Sequence, residues 1–274
     1  MNIAILGAGY LGKEVASLWS KKNHHVTVTT RHPERLEGLS HVAQKCVILK
    51  DSDEEILAPL ILDNELLLVT IAASNPDNYE SAYLKMAQAI RHIAFENQVI
   101  RRIIYTSSTS VYGDHQGLWV DETSELKAKS DQAKILIETE RVYESLREIG
   151  WHVCILRLAE IYGPQRELSK RLKSMKGHTL PGAGLNHSNM IHQEDVVSAI
   201  DYALKHHLEG IYNLADDDHP TRQKLYEEVA HKFQLPLPKW DPKYDGFHQG
   251  NKRVSNHKIK SEGFSFRHLH RVVD

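Results

Sequence analysis

The run NIAILGAGYLG, residues 2–12, commits the start of this chain to a strand, a tight turn and a helix. Asn2–Leu6 is a short apolar stretch, and glycines at 7, 9 and 12 punctuate the six residues after it. Lys13–Lys22 then carries Val15, Leu18 and Trp19 at helical spacing. A strand that turns on glycines into a helix is half of a βαβ unit, and the chain repeats the alternation. His25–Thr30 (HVTVTT), Cys46–Leu49, Leu66–Ala72, Arg102–Tyr105 and Val153–Leu158 read as further strands. Residues 79–97 carry Tyr79, Tyr83, Met86 and Ile90 at helical spacing, and residues 130–149 carry Ile135, Val142, Leu146 and Ile149. Leu66–Ala72 is apolar enough to be buried on both faces, as a central parallel strand is. The expectation is an α/β protein with a doubly wound parallel sheet.

After Gly163-Pro164 the rhythm changes. Residues 176–190 (KGHTLPGAGLNHSNM) read as a loop, Glu194–Lys205 as a helix, Ile211–Leu214 as a strand, 222–233 as a helix and 236–253 as a loop. We therefore expect a core over residues 1–163 and a smaller substrate-facing region over 164–274, with 192–216 returning to the core.

Composition excludes several function classes. The net charge of -2 gives no electrostatic reason for nucleic acid or an anionic membrane as partner. No segment is long and apolar enough to span a bilayer, and MNIAILGAG is unlike a secretory signal, so the expected setting is the cytoplasm. The two cysteines, Cys46 and Cys154, sit in apolar runs and read as small buried hydrophobes. The eighteen histidines include His24-His25, His206-His207 and His268-x-His270, but no metal-binding spacing organises them and no metal is expected.

GAGYLG at 7–12 matches G-x-G-x-x-G in the context that gives the motif meaning, after a strand and before a helix. Gly7 would allow the tight turn, Gly9 the close approach of a pyrophosphate, and Gly12 close packing of helix on strand. The helix start offers N–H groups and a positive dipole end to phosphate. With Tyr10 and Leu11 these residues form the expected dinucleotide cradle of a Rossmann fold. At the end of the second strand an acidic residue would hold a ribose 2′-hydroxyl. The chain instead has Thr29-Thr30-Arg31, and Arg31 suits a 2′-phosphate, so NADP is expected over NAD. Asp51 reads as an adenine neighbour or as a strand-end turn.

The segments YTSSTSVYGD (105–114), RLAEIYGP (157–164), NMIHQEDVVSAI (189–200), IYNLAD (211–216) and KIKSEGFSFR (258–267) extend the pattern over nearly the whole chain. Together they resemble the extended short-chain dehydrogenases/reductases of the NAD-dependent epimerase/dehydratase type, and within them an atypical, YeeZ-type bacterial branch. The resemblance implies that Ser108 hydrogen-bonds a substrate oxygen and that the backbone of Ala72 and Ala73 lies along the cofactor ribose and nicotinamide. It makes Lys134 the lysine of Y-x-x-x-K, which binds the nicotinamide ribose and lowers a tyrosine's pKa. It also implies a homodimer through 79–97 and 130–149.

The tyrosine of that motif is missing. Position 130 is Ser130, and no other tyrosine is followed by lysine four residues later. The spacing of 130 and 134 places both on one helical face. A serine hydroxyl has no accessible pKa for proton transfer near neutrality, and loss of a general acid costs ~10²–10⁴ in rate. Asp114, His115, Glu160, Tyr162, His187, Asn189 and His192 are candidate substitutes, with Tyr112 and Tyr162 also read as anchors of turns. Besides a degenerate scaffold that dimerises through the helices at 79–97 and 130–149, two functions are compatible with these residues. One is an NADP-dependent oxidoreductase or epimerase acting on a small carbonyl or sugar-like substrate through a non-standard proton donor. The other is a non-catalytic NADP(H)-binding redox sensor. The region after Pro164 shows no run of Arg or Lys that would demand a nucleotide diphosphate.

Overall fold

The computed structural model describes residues 1–175, 178–243 and 250–273. Of the two expected loops, 176–177 and 244–249 lie outside the described residues. The seven-stranded parallel sheet comprises β1 (Asn2–Leu6), β2 (His25–Thr30), β3 (Lys45–Ile48), β4 (Leu66–Val69), β5 (Arg102–Ser108), β7 (His152–Leu158) and β11 (Gly210–Leu214). Their spatial order is β11-β7-β5-β4-β1-β2-β3, so the winding reverses between β1 and β4. Ile3 pairs with Leu66, and Leu6 with Val69. All four residues of β4 are buried, which is why a continuous apolar run forms this strand.

The helices around this sheet are α1 (Gly12–Lys21), α2 (Leu36–Ser40), α3 (Glu54–Leu62), α4 (Met86–Asn97), α5 (Asp131–Ser145) and α7 (Gln193–Lys205). Each of the longer ones buries one stripe, as Val15, Ala16 and Trp19 do in α1. The expected helix over 79–97 has two parts: a π-helical stretch, Glu80–Lys85, runs directly into α4. The expected helix over 130–149 likewise ends in a 3₁₀ turn, Leu146–Ile149. β5 is longer than its apolar run, because Thr106, Ser107 and Ser108 continue it.

The remaining elements are short: β6 (Trp119–Val120), β8 (Glu160–Tyr162), β9 (Thr179–Pro181), β10 (Met190–His192), β12 (Lys239–Asp241), β13 (Arg253–Val254), and helices α6 (Leu168–Ser174), α8 (Arg222–Phe233) and α9 (His257–Ser261). The strands pair as β8 with β10, β9 with β12, and β6 with β13, all parallel.

The chain groups into two compact units. The first holds Met1–Ser107, Ser130–Leu156 and Ala199–Ile211, and the second holds Ser108–Lys129, Arg157–Ser198 and Tyr212–Asp274. The sequence suggests a core over 1–163 to which 192–216 returns; these units also interleave along the chain, with 108–129 and 157–163 grouped in the second and 199–211 in the first. The core of the first includes Leu6, Leu67, Ile90, Ile103 and Tyr143. That of the second includes Tyr162, Leu172, Met190, Leu225 and Val229. Cys154 is buried and Cys46 half-buried; Cys46 lies on β3 at the sheet edge, so only one of the two is the enclosed hydrophobe expected.

Candidate cofactor and active site

The three glycines of the 7–12 loop are needed for three different reasons. Gly7 takes φ 98°, a left-handed conformation that disfavours a side chain. The Gly7 and Ala8 amides donate to Thr29 Oγ1 (3.0 Å) and to the Thr29 carbonyl (2.8 Å), tying the turn to β2. A Cβ on Gly12 would stand 2.2 Å from the Gly7 carbonyl oxygen, so close packing of α1 forces glycine there. A Cβ on Gly9 would meet nothing within 4 Å. Neither protein packing nor backbone angle requires glycine at 9, and the space beside it is open at the start of a helix that no side chain caps. These residues fit a dinucleotide's pyrophosphate. Tyr10 is half-buried and Leu11 buried.

At the end of β2, Thr30 is buried and its hydroxyl accepts from the His32 amide (3.2 Å). Arg31 is exposed and donates to the Ala72 carbonyl (3.3 Å), which spans from β2 to the segment leaving β4. A second arginine, unremarked in the sequence, does the same closer in: Arg35 donates to the Ala8 carbonyl at 2.7 Å. Pro33–Arg35 is a single 3₁₀ turn, which brings Arg35 back to the glycine loop. Asp51 is exposed at φ 51°, a turn conformation just past β3. Ala72 is exposed and Ala73 half-buried, and the Ala73 amide donates to the Tyr83 hydroxyl oxygen (3.4 Å).

Ser130 stands just before α5 and not within it, one turn below Lys134, whose amide donates to the Ser130 carbonyl (3.1 Å). Ser130 is extended (φ -73°, ψ 146°), and its side chain accepts from the Ala133 amide (3.3 Å). It is the N-cap of α5, a role serine fills well and tyrosine cannot. Lys134 is exposed and its ammonium pairs with Asp131 at 3.2 Å.

Ser108 belongs to the second unit. Its hydroxyl accepts from the Ser110 amide (3.1 Å) and caps the 3₁₀ turn Thr109–Tyr112. Tyr112 is an anchor: its hydroxyl donates to Asn213 Oδ1 (2.7 Å) and accepts from Arg157 (2.9 Å), and burial pushes its pKa up to about 12. Tyr162 is another, accepting from the Val272 amide (3.1 Å), its pKa also pushed up to about 12 by burial. Asp114 accepts from the Gln116 amide (2.8 Å), and His115 Nε2 lies 3.1 Å from the Glu125 carbonyl.

The second unit has a polar pocket lined by Glu160, Arg171, Asn186, His187, Asn189, Arg222 and Tyr226, among others. His187 Nδ1 lies 2.6 Å from the His219 carbonyl, which can only accept, so Nδ1 carries a hydrogen. Arg171 pairs with Glu160. The Arg222 guanidinium lies over Tyr226 and Trp240 (6.0 and 5.3 Å) and has no ion pair or hydrogen bond among the described residues. Arg171 and Arg222 are far apart in sequence, so a scan for basic runs does not find them together. His192, Glu194 and His268 bring three donor atoms within 4.8 Å of one another. Glu194 is held by His268 Nε2 (2.9 Å) and Arg267 (3.0 Å), while His192 Nδ1 accepts from the Glu194 amide (3.2 Å), which puts its hydrogen on Nε2. His270 pairs instead with Asp218. No described helix is long and apolar enough to cross a membrane.

A glycine cradle at the point where a seven-stranded sheet reverses its winding defines a class, and the family comparison agrees with it. The model of the NAD dependent epimerase/dehydratase family matches residues 3–215, and the chain belongs to that family. Protein YeeZ of Escherichia coli strain K12 is 32% identical over 247 residues, covering 87% of this chain and 86% of that protein. A functionally unknown conserved protein from Silicibacter pomeroyi has a TM-score of 0.79 at 24% identity, with 98% of this chain and 94% of that one covered. A dTDP-glucose 4,6-dehydratase from Streptomyces venezuelae, solved with NAD and TYD bound, has a TM-score of 0.81 at 20% identity, with 97% and 92% covered. At these identities the structural likenesses show the fold.

Proposed function

We propose that the first unit binds a nicotinamide dinucleotide, NADP(H) in preference to NAD(H). On this reading the protein is an oxidoreductase or epimerase for a small carbonyl or sugar-like substrate, with a proton donor other than position 130. The observation that carries the cofactor reading is the open space at Gly9, which the protein's own packing leaves unused. The nicotinamide would supply reversible hydride transfer. Gly7–Gly12 would hold the pyrophosphate, and Lys134, released from Asp131, would reach the ribose. Arg31 and Arg35 each rest on a backbone carbonyl and keep further N–H donors for a 2′-phosphate. No carboxylate ends β2 to hold a ribose hydroxyl instead.

In the second unit, Arg222 without an anionic partner among the described residues supports a substrate that carries a negative group, and Asn186, Asn189 and His187 suit hydroxyls. The Streptomyces venezuelae relative is named for a nucleotide-sugar substrate, which agrees with that chemistry. The homodimer through 79–97 and 130–149 belongs to the same proposal and is read by light scattering.

Fluorescence titration tests the cofactor choice. Wild type should bind NADPH at least about tenfold more tightly than NADH, the yield of one hydrogen bond to a charged group. Arg31→Asp should erase or invert that ratio. A wild type that prefers NADH would overturn it. The redox-sensor reading is favoured by one observation, the use of Ser130 as a cap. It requires cofactor binding without turnover across a broad aldehyde and ketone panel.

A further inference from the structure

Doubly wound sheets hold ligands outside the strand ends where the winding reverses, here between β1 and β4. Residues 71–74 leave β4 at that point. The Ala73 amide there donates to the Tyr83 hydroxyl oxygen (3.4 Å), which sets the phenol beside the segment leaving β4. Tyr83 lies in the π-helical stretch Glu80–Lys85, a rare conformation that is frequent at functional sites. That stretch packs along α5, the helix that carries Lys134.

The Tyr83 oxygen accepts one hydrogen bond, and its own hydrogen meets no acceptor among the described residues. The side chain is half-buried, so a bound molecule can reach it. Burial raises its pKa, which keeps the phenol protonated through the neutral range. Several other tyrosines are enclosed or held by partners elsewhere. Tyr105 and Tyr143 are fully enclosed, Tyr112 donates to Asn213, Tyr162 receives Val272, and Tyr212 pairs with Glu262. Tyr79 packs on Tyr83 at 5.1 Å and buttresses it.

We propose that Tyr83 is the proton donor of this site, filling the role that position 130 does not. The inference rests on the cofactor reading above. Tyr83 gives its phenolic proton to the oxygen of a bound carbonyl while the carbonyl carbon takes up hydride from the reduced nicotinamide. The C=O π pair forms the new O–H bond, the carbonyl is reduced and the nicotinamide oxidised. The phenolate then regains a proton from water.

The test needs no substrate. Oxidised NADP⁺ carries a positive nicotinamide ring and NADPH a neutral one, while their phosphates are the same. Tyrosine ionisation in the whole protein is followed by absorbance near 295 nm, with each cofactor saturating by calorimetry. NADP⁺ should lower the pKa of one phenol by about one unit relative to NADPH, as a positive charge within ~4–6 Å does. That phenol should vanish in Tyr83→Phe and persist in Tyr79→Phe. Equal titrations with NADP⁺ and NADPH in the wild type would overturn the proposal without recourse to any variant. So would a shifted phenol that survives Tyr83→Phe. Absence of binding by calorimetry would instead overturn the cofactor reading beneath it.

Discussion

Two helices of the first unit begin in opposite ways. α1 starts behind Leu11, which offers no side-chain cap, and beside Gly9, where a Cβ would touch nothing. α5 starts behind Ser130, whose hydroxyl takes the Ala133 amide. Every helix start leaves backbone amides without partners in the helix itself. Where a side chain supplies the acceptor, as Ser130 does and Asp53 does for α3, the end is self-sufficient. Where none does and the approach is clear, the amides suit an outside anion. On the proposed reading, the difference explains how the chain can keep a cofactor cradle without the tyrosine that the resemblance leads one to expect: the cradle is backbone geometry, and position 130 caps a helix.

The largest effect should come from the cradle. Gly9→Val should abolish NADPH binding in a protein with an unchanged circular dichroism spectrum, because its Cβ meets no protein atom within 4 Å and its side chain enters the ligand space. Gly12→Val should fail differently, with loss of the fold, since its Cβ meets the Gly7 carbonyl at 2.2 Å. Equal damage to folding by both would break the distinction.

Much of the cradle is legible in the sequence, since its glycines are punctuation on a strand–helix corner and local spacing decides them. The central strands are legible too, because apolar runs such as Leu66–Val69 have no other place to go. The features that escape a linear reading are set by tertiary geometry. Ser130 reads as a residue on a helix face, since spacing cannot say which residue stands just outside the first turn. Arg35 reaches the glycine loop only because Pro33–Arg35 coils into a 3₁₀ turn. Arg222 meets Trp240 only in the folded second unit. The π-helical turn at Glu80–Lys85 keeps enough helical spacing to pass as α-helix, and the contact of its Tyr83 with the Ala73 amide is a tertiary one.

A middle-sized effect separates the two roles of Lys134. If its ammonium leaves Asp131 for the cofactor ribose, Lys134→Ala should weaken NADPH binding by about tenfold or more, as loss of a hydrogen bond from a charged donor does. If the exposed pair with Asp131 is its whole role, NADPH affinity should stay put and stability change by less than ~0.5 kcal/mol. Titration and urea unfolding of the one variant distinguish these outcomes.

The smallest effect is the sharpest test of the capped end. Ser130→Ala removes the acceptor from the Ala133 amide and should cost about 1 kcal/mol of stability, read as a lower urea midpoint with an unchanged slope. NADPH affinity should not move. Ser130→Asp should hold the midpoint, because a carboxylate caps as well and also faces the positive end of the helix. Ser130→Tyr restores the family's letter but has no oxygen that can reach the amide from an extended backbone, so it should unfold like the alanine variant. If Ser130→Ala instead keeps its midpoint while carbonyl turnover falls, the hydroxyl serves chemistry rather than the helix, and the contrast between the two helix starts fails at this residue.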